Sequence, residues 1–265
     1  MPSSYAHYRL GQAVRSRLEG QERETVEDFP ELFLTGLHGP DILFYYKPLS
    51  SNPVNQVGYG MHEKAGRIFF EKAVKIVKEH SDTPAYLSYV YGFICHFALD
   101  VSCHGYVNDR MRESGISHTE LEVEFDRMLM VKDGLDPIRQ RLTGHIVPSV
   151  KNAEVIQSFY DGVDAGQVQK AMEGMILYDK ILVAPYWFKR IPLAVILKIV
   201  GMSGHMVNYK PNPLCEESNQ KLWELYQEGE ELALKLIEEY KGYLEGGVSL
   251  NEKYAYNFSS QLEER

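Results

Sequence analysis

The chain has 265 residues, of which 44% are hydrophobic and 25% charged, enough apolar material for a sizeable buried core in one large domain or two small ones. Its net charge of −9 argues against non-specific binding of duplex nucleic acid, which needs a basic surface. The odd cysteine set (Cys95, Cys103, Cys215) builds no disulfide framework, and neither a signal peptide nor an apolar run of about 18 residues is present, so the expectation is a reducing, cytoplasmic location with no transmembrane segment.

Residues 5–18 read as a first helix, with Tyr5, Tyr8, Leu10, Val14 and Leu18 as its less polar positions. Residues 19–30 are polar and punctuated. Residues 31–46 are apolar but broken by Gly36, Gly39 and Pro40, which predicts two short helical pieces and a bend. Residues 50–60, rich in Ser, Asn, Pro and Gly, are expected to be a loop. Residues 61–80 repeat apolar side chains at three- and four-residue spacing and read as one helix. Ser81, Asp82, Thr83 and Pro84 signal a helix start. The helix that follows, 84–106, is apolar nearly all round, which implies burial at the centre of a bundle. Further helices are predicted over 118–130 and 214–244. Alternating strand patterns are scarce. The expected fold is therefore all-α: one domain over 1–265, a helical bundle around a central buried helix, with a metal-site half of about 1–130 and a C-terminal helical half of about 131–265 to which no chemistry is assigned.

Seven of the nine histidines fall within the first 118 residues, and their spacing carries the chemistry. His96, Asp100 and His104 stand at i, i+4 and i+8, one helical turn apart on one face, among Tyr91, Phe93, Ile94, Phe97, Leu99 and Val101. A carboxylate buried there needs a partner or a cation, and two imidazoles beside it make a zinc site. His118 and Glu122 form a second His/carboxylate pair at i, i+4. Upstream lie His7, His38, Asp41 and His62. The neighbouring Glu120, Glu124 and Asp126 read as an acidic solvated face, His80 as an exposed helix-end residue, and His145 and His205 as structural.

With these residues the chain resembles the zinc-dependent phospholipases C and, more distantly, the single-strand-specific zinc nucleases of similar fold. The resemblance covers roughly residues 2–126. It implies an all-helical fold and as many as three zinc ions in a cleft. By that resemblance Asp41, His62, His96 and Asp100 hold one ion. Asp100 bridges to a second, held by His7 and the N-terminal residue, for which Pro2, exposed on loss of Met1, is the candidate here. His104, His118 and Glu122 hold the third.

The implied activity is metal-dependent phosphodiester hydrolysis, zinc lowering the pKa of bound water to about 7. Asp41 is the catalytic candidate, as ligand and as the base that orients the attacking water. His38 is a partner to this group, a phosphate contact, or only a local turn residue. Tyr45, Tyr46 and Tyr59 are candidate cleft walls. The expected substrate is a phospholipid or a small phosphodiester. A nuclease or nucleotidase, or a metal-binding protein without turnover, are the alternatives. Residues 186–200 are expected to form a core helix; the other reading is an amphipathic element in peripheral membrane contact, with Lys189, Arg190 and Lys198 toward headgroups.

Overall fold

The helix Thr83–Ser114 has no solvent face over residues 85–100, every one of which is buried. Such a helix must be covered on all sides. Pro84 opens it in the first turn, where a missing N–H leaves no bond unmade, and Gly115 closes it in the left-handed conformation at φ 71°. In the computed structural model, which describes residues 4–263, the helices in chain order are α1 (Ser4–Arg17), α2 (Gly20–Asp28), α3 (Pro30–Gly36), α4 (Pro53–His62), α5 (Gly66–Glu79), α6 (Thr83–Ser114), α7 (His118–Lys132), α8 (Val150–Gln157), α9 (Ala165–Leu182), α10 (Trp187–Ile199) and α11 (Glu216–Leu244). Helices α1, α2, α3, α5, α7, α8 and α11 all pack on α6. A 3-10 segment, Gly39–Tyr45, lies against α6 and is flanked by α4 and α9. No strand forms among the described residues; Ala65 and Asn257 make an isolated bridge. The fold is all-α and built round one buried helix, as the patterning predicts.

Helices α3 and α6 cross at contact distance because each presents a glycine. A Cβ on Gly36 would lie 2.3 Å from the Tyr89 carbonyl oxygen, and one on Gly92 would lie 2.1 Å from the Phe33 carbonyl oxygen. This crossing leads the chain directly into the 3-10 segment, where Gly39 (φ 48°) sits on the imidazole of His96. A Cβ there would come within 2.3 Å of the ring.

Four sequence expectations need correction. The polar stretch 19–30 contains helix α2, which packs Val26 against the core. The expected loop 50–60 contains most of α4. Asn52 caps it by accepting from the Val54 and Asn55 N–H groups, the Asn55 side chain returns a bond to the Asn52 N–H, and Pro53 takes the first helical position. The single helix expected over 61–80 is broken at 63–65, because there the backbone pairs with the tail: Gly66 N–H donates to the Tyr256 carbonyl (2.9 Å) and Ala65 N–H to Glu263 Oε2 (3.0 Å). Residues 186–200 do not form a core helix. α10 rests Leu193 and Leu197 on a small satellite cluster with Ala184 and Met206, and leaves most of its apolar side chains in solvent. The three cysteines are buried free thiols.

Candidate metal centre

The continuity of α6 sets His96, Asp100 and His104 along one buried face. α7, capped by the Ser117 side chain on Glu120 N–H (3.2 Å), presents His118 and Glu122 to the same place. α1 contributes His7, the 3-10 segment Asp41, and the last residue of α4 is His62. The donor atoms fall into three groups: His7, His96 and Asp100; Asp41, His62 and His96; His104, His118 and Glu122. Within each group they lie within 4.8 Å of one another.

Asp100 joins the groups. Its Oδ1 is 3.3 Å from His7 Nε2 and 3.7 Å from His104 Nε2, and its Oδ2 is 3.2 Å from His96 Nε2 and 3.9 Å from His62 Nε2. Two donors at about 2.0–2.1 Å from one tetrahedral zinc stand about 3.4 Å apart. The His7–Asp100, His96–Asp100 and His104–Glu122 separations of 3.3, 3.2 and 3.2 Å are close to that spacing.

Proximity does not make these atoms hydrogen-bonded. His62 Nε2 and Asp41 Oδ1 are 2.9 Å apart, yet neither has a hydrogen bond of acceptable geometry. The same holds for both His96 nitrogens, both Asp100 oxygens, His7 Nδ1, His118 Nε2 and Glu122 Oε2. Buried groups left this way are costly unless a cation lies among them. The tautomers point the same way. His104 Nδ1 lies 2.6 Å from the Phe258 carbonyl and His62 Nδ1 2.9 Å from the Gly58 carbonyl. A carbonyl only accepts, so each ring donates from Nδ1 and turns Nε2 on carboxylate oxygens. A void of about 20 Å³ bordered by His7, Asp100, His104 and Glu122 has room for one small ion. Imidazole and carboxylate donors in this number fit zinc.

The electrostatics agree. Burial opposes charge on Asp100, but His104 and then His96 outweigh it and hold the carboxyl well below the usual carboxylate range. Burial opposes a proton on His104, yet Asp100 and Glu122 raise that ring to about 10. Glu122 is held low against burial chiefly by His118. The potential at the cluster favours positive charge.

A family model for zinc-dependent phospholipase C matches residues 6–172, more than half of the chain. The chain belongs to the zinc-dependent phospholipase C family. No curated protein and no solved structure matches it. The family match runs past residue 126, where the sequence resemblance stops, through α8 and into α9; α10, α11 and the tail lie beyond it.

Some residues around this phospholipase C-type cluster escape sequence reasoning. Glu124 and Asp126, read as solvated, are each 1% exposed. Asp126 accepts from the Tyr5 and Ala6 N–H groups (3.0 and 2.8 Å), so it caps the helix that carries His7. Its place one turn beyond Glu122 on α7 was the available signal. Glu124 accepts from Asn208 Nδ2 and Asn212 N–H. Phe258 orients His104 through a backbone carbonyl, for which no side-chain pattern exists. Pro2 lies outside the described residues. His80 is half-buried, bonded to the Ile76 carbonyl at 2.8 Å and stacked on Tyr86.

His38 does not turn to Asp41. Its Nε2 lies 2.7 Å from His145 Nε2, the two rings meet edge to edge in nearly one plane, and Tyr8 stacks on His145. Burial, then His145, pushes His38 well below its ordinary range, and burial lowers His145 to about 4. A histidine neutral when folded but protonated when unfolded takes up protons on unfolding between the two pKa values. Stability is then full above the unfolded value near 6.5 and falls as pH drops toward about 4. In metal-free protein His145→Gln, which keeps a polar partner for His38, is expected to flatten this acid limb by up to about 1.4 kcal/mol per pH unit. Urea midpoints across that window measure it, and an unchanged slope would show that the pair is not the neutral couple described.

Beside the cluster, behind the stacked Phe44 and Tyr59, lies a cavity of about 130 Å³. Phe44 also contacts the His62 ring. Tyr45, Tyr59, Tyr178, Asp126, Arg190 and His205 are among its lining residues, and none of the candidate ligands is. Tyr46 is not part of this wall: its carbonyl takes the Asn52 amide and Lys47 lies over its ring.

Proposed function

We propose that the chain hydrolyses the phosphodiester of a phospholipid headgroup, with His7, Asp41, His62, His96, Asp100, His104, His118 and Glu122 as metal ligands. The observation that carries this reading is the convergence of three His/carboxylate groups in which Asp41, His62, His96, Asp100, His118 and Glu122 each keep a buried donor atom without a hydrogen bond. Bound zinc supplies Lewis acidity toward phosphoryl oxygens and water acidic enough to react near neutral pH.

The residues' own part is to hold charge and geometry. Asp100, faced by four imidazoles, ties the groups together, and Phe258 and Gly58 fix the ring orientations of His104 and His62. Asp41 keeps Oδ1 without a hydrogen bond beside His62, which suits it to hold the attacking water and take its proton. The water oxygen forms the new bond to phosphorus, and the glycerol oxygen leaves with a proton, giving a diacylglycerol and a phosphomonoester. The cavity behind Phe44 and Tyr59, lined by tyrosines and one arginine, would receive the part of the lipid next to the phosphate.

The test is elemental analysis of purified protein dialysed against trace zinc, with a phospholipid hydrolysis assay. As many as three zinc ions per chain, with His96 serving only one of the two groups it borders, and headgroup release lost on chelation and restored by zinc are expected. Zinc bound without cleavage of any ester would leave a metal-binding protein, and cleavage of single-stranded nucleic acid instead of lipid would make it a nuclease.

A further inference from the structure

We infer that α10 and the adjoining end of α9 form a docking surface for a lipid bilayer that carries anionic headgroups. α10 is apolar on two sides. Leu193 and Leu197 face inward, while Trp187 (72% exposed), Phe188, Ile191, Val195, Ile196 and Ile199 (79% exposed) stand in solvent. Leu177 and Ile181 of α9 extend the patch, and a shallow groove runs between the two helices along Phe188, Pro192 and Ile196. A helix apolar on its outer face is stable in water only at a cost, and a contiguous patch of this kind marks an interaction site. No helix among the described residues is long and apolar enough to span a membrane, so the surface would lie on a bilayer.

Charge selects the occupant. In a chain of net charge −9, residues 180–215 contain no aspartate or glutamate and carry Lys180, Lys189, Arg190, Lys198 and Lys210. Lys189 is tied to the Lys180 and Val183 carbonyls and Arg190 to the Val207 carbonyl. Lys180, Lys198 and Lys210 are exposed. Basic side chains around an apolar helix face, with Tyr186, Trp187 and Phe188 at its entry, match the chemistry of a headgroup layer over acyl chains. The position matches as well: Leu182, Ala184 and Arg190 line the cavity that adjoins the metal cluster. The inference rests on the lipid reading of the cluster only for this direction of approach.

The test is co-sedimentation of the zinc-loaded full chain with vesicles of phosphatidylcholine alone or mixed with phosphatidylserine. The emission of Trp187 is followed in Trp223→Phe, which leaves it the single tryptophan. Binding and a blue shift with the mixed vesicles, weaker with phosphatidylcholine alone and weakened by salt, are expected. The double substitution Ile191→Glu with Ile196→Glu should cut partitioning by roughly a hundredfold and leave zinc content and hydrolysis of a water-soluble phosphodiester unchanged. Soluble-substrate hydrolysis without vesicle binding would overturn the docking surface. So would a homodimer that the double substitution dissolves in a chain that binds no vesicle. Vesicle binding by a protein that cleaves no ester would uphold the docking surface and remove the hydrolase reading.

Discussion

Asp100→Asn is expected to lose at least one zinc ion and to slow phosphodiester hydrolysis by at least about a thousandfold, because ligands that share a carboxylate act as a unit. The substitution keeps the shape and removes the charge. Both Asp100 oxygens are buried without hydrogen bonds and face four imidazole nitrogens within 3.9 Å. An amide offers one neutral acceptor and turns N–H donors toward the remaining rings. It also removes the largest influence raising His104, whose ring should become easier to deprotonate. Zinc content, helicity by circular dichroism and turnover measured on one preparation separate the effects: helicity retained, metal and activity lost. Full zinc occupancy with an unchanged rate would take Asp100 out of the cluster.

Gly92→Ala is expected to destabilise the protein by about 3 kcal/mol or more, at the upper end of overpacking costs and a large part of a typical 5–15 kcal/mol stability. The new methyl would meet the Phe33 carbonyl oxygen at 2.1 Å and Gly36 Cα at 2.9 Å. Both are backbone atoms, so no side chain can swing aside. Relief requires α3 to move off α6, and α3 leads into Gly39, which rests on His96. Weakened zinc retention should therefore accompany the lost stability. Gly60→Ala in α4 is the control: nothing lies within 4 Å of its Cβ position, and alanine there should stabilise by about 0.5–1 kcal/mol. Urea midpoints of the two variants decide the matter, and equal shifts would refute the close-crossing argument.

Five of the eight clustered side chains could be picked from spacing because a helix converts spacing into direction: His96, Asp100 and His104 at four-residue intervals must share a face, as must His118 and Glu122, and an apolar setting makes a carboxylate there conspicuous, whereas His7, Asp41 and His62 came only from the family resemblance. The all-α fold was legible for the same reason of period. What was not legible depends on partners distant in sequence. Nothing in residues 61–80 shows that the chain breaks at Ala65 to pair with the tail. Asp126 has the composition of a solvated face until α1 delivers two N–H groups to it. His145 has no meaning without His38, more than one hundred residues earlier. α10 failed in the opposite sense: its apolar sequence was read as core, although apolarity alone does not say whether protein or another apolar phase covers it.

The tail that pairs with Ala65 and Gly66 also carries Phe258, whose carbonyl sets the ring of His104. During synthesis residues 7–122 emerge long before residue 258. His104 is then free to take either tautomer, and the group it shares with His118 and Glu122 lacks its fixed geometry. The geometry of that group is thus set by a backbone carbonyl 154 residues away, and it is complete only when the tail has closed over the bundle.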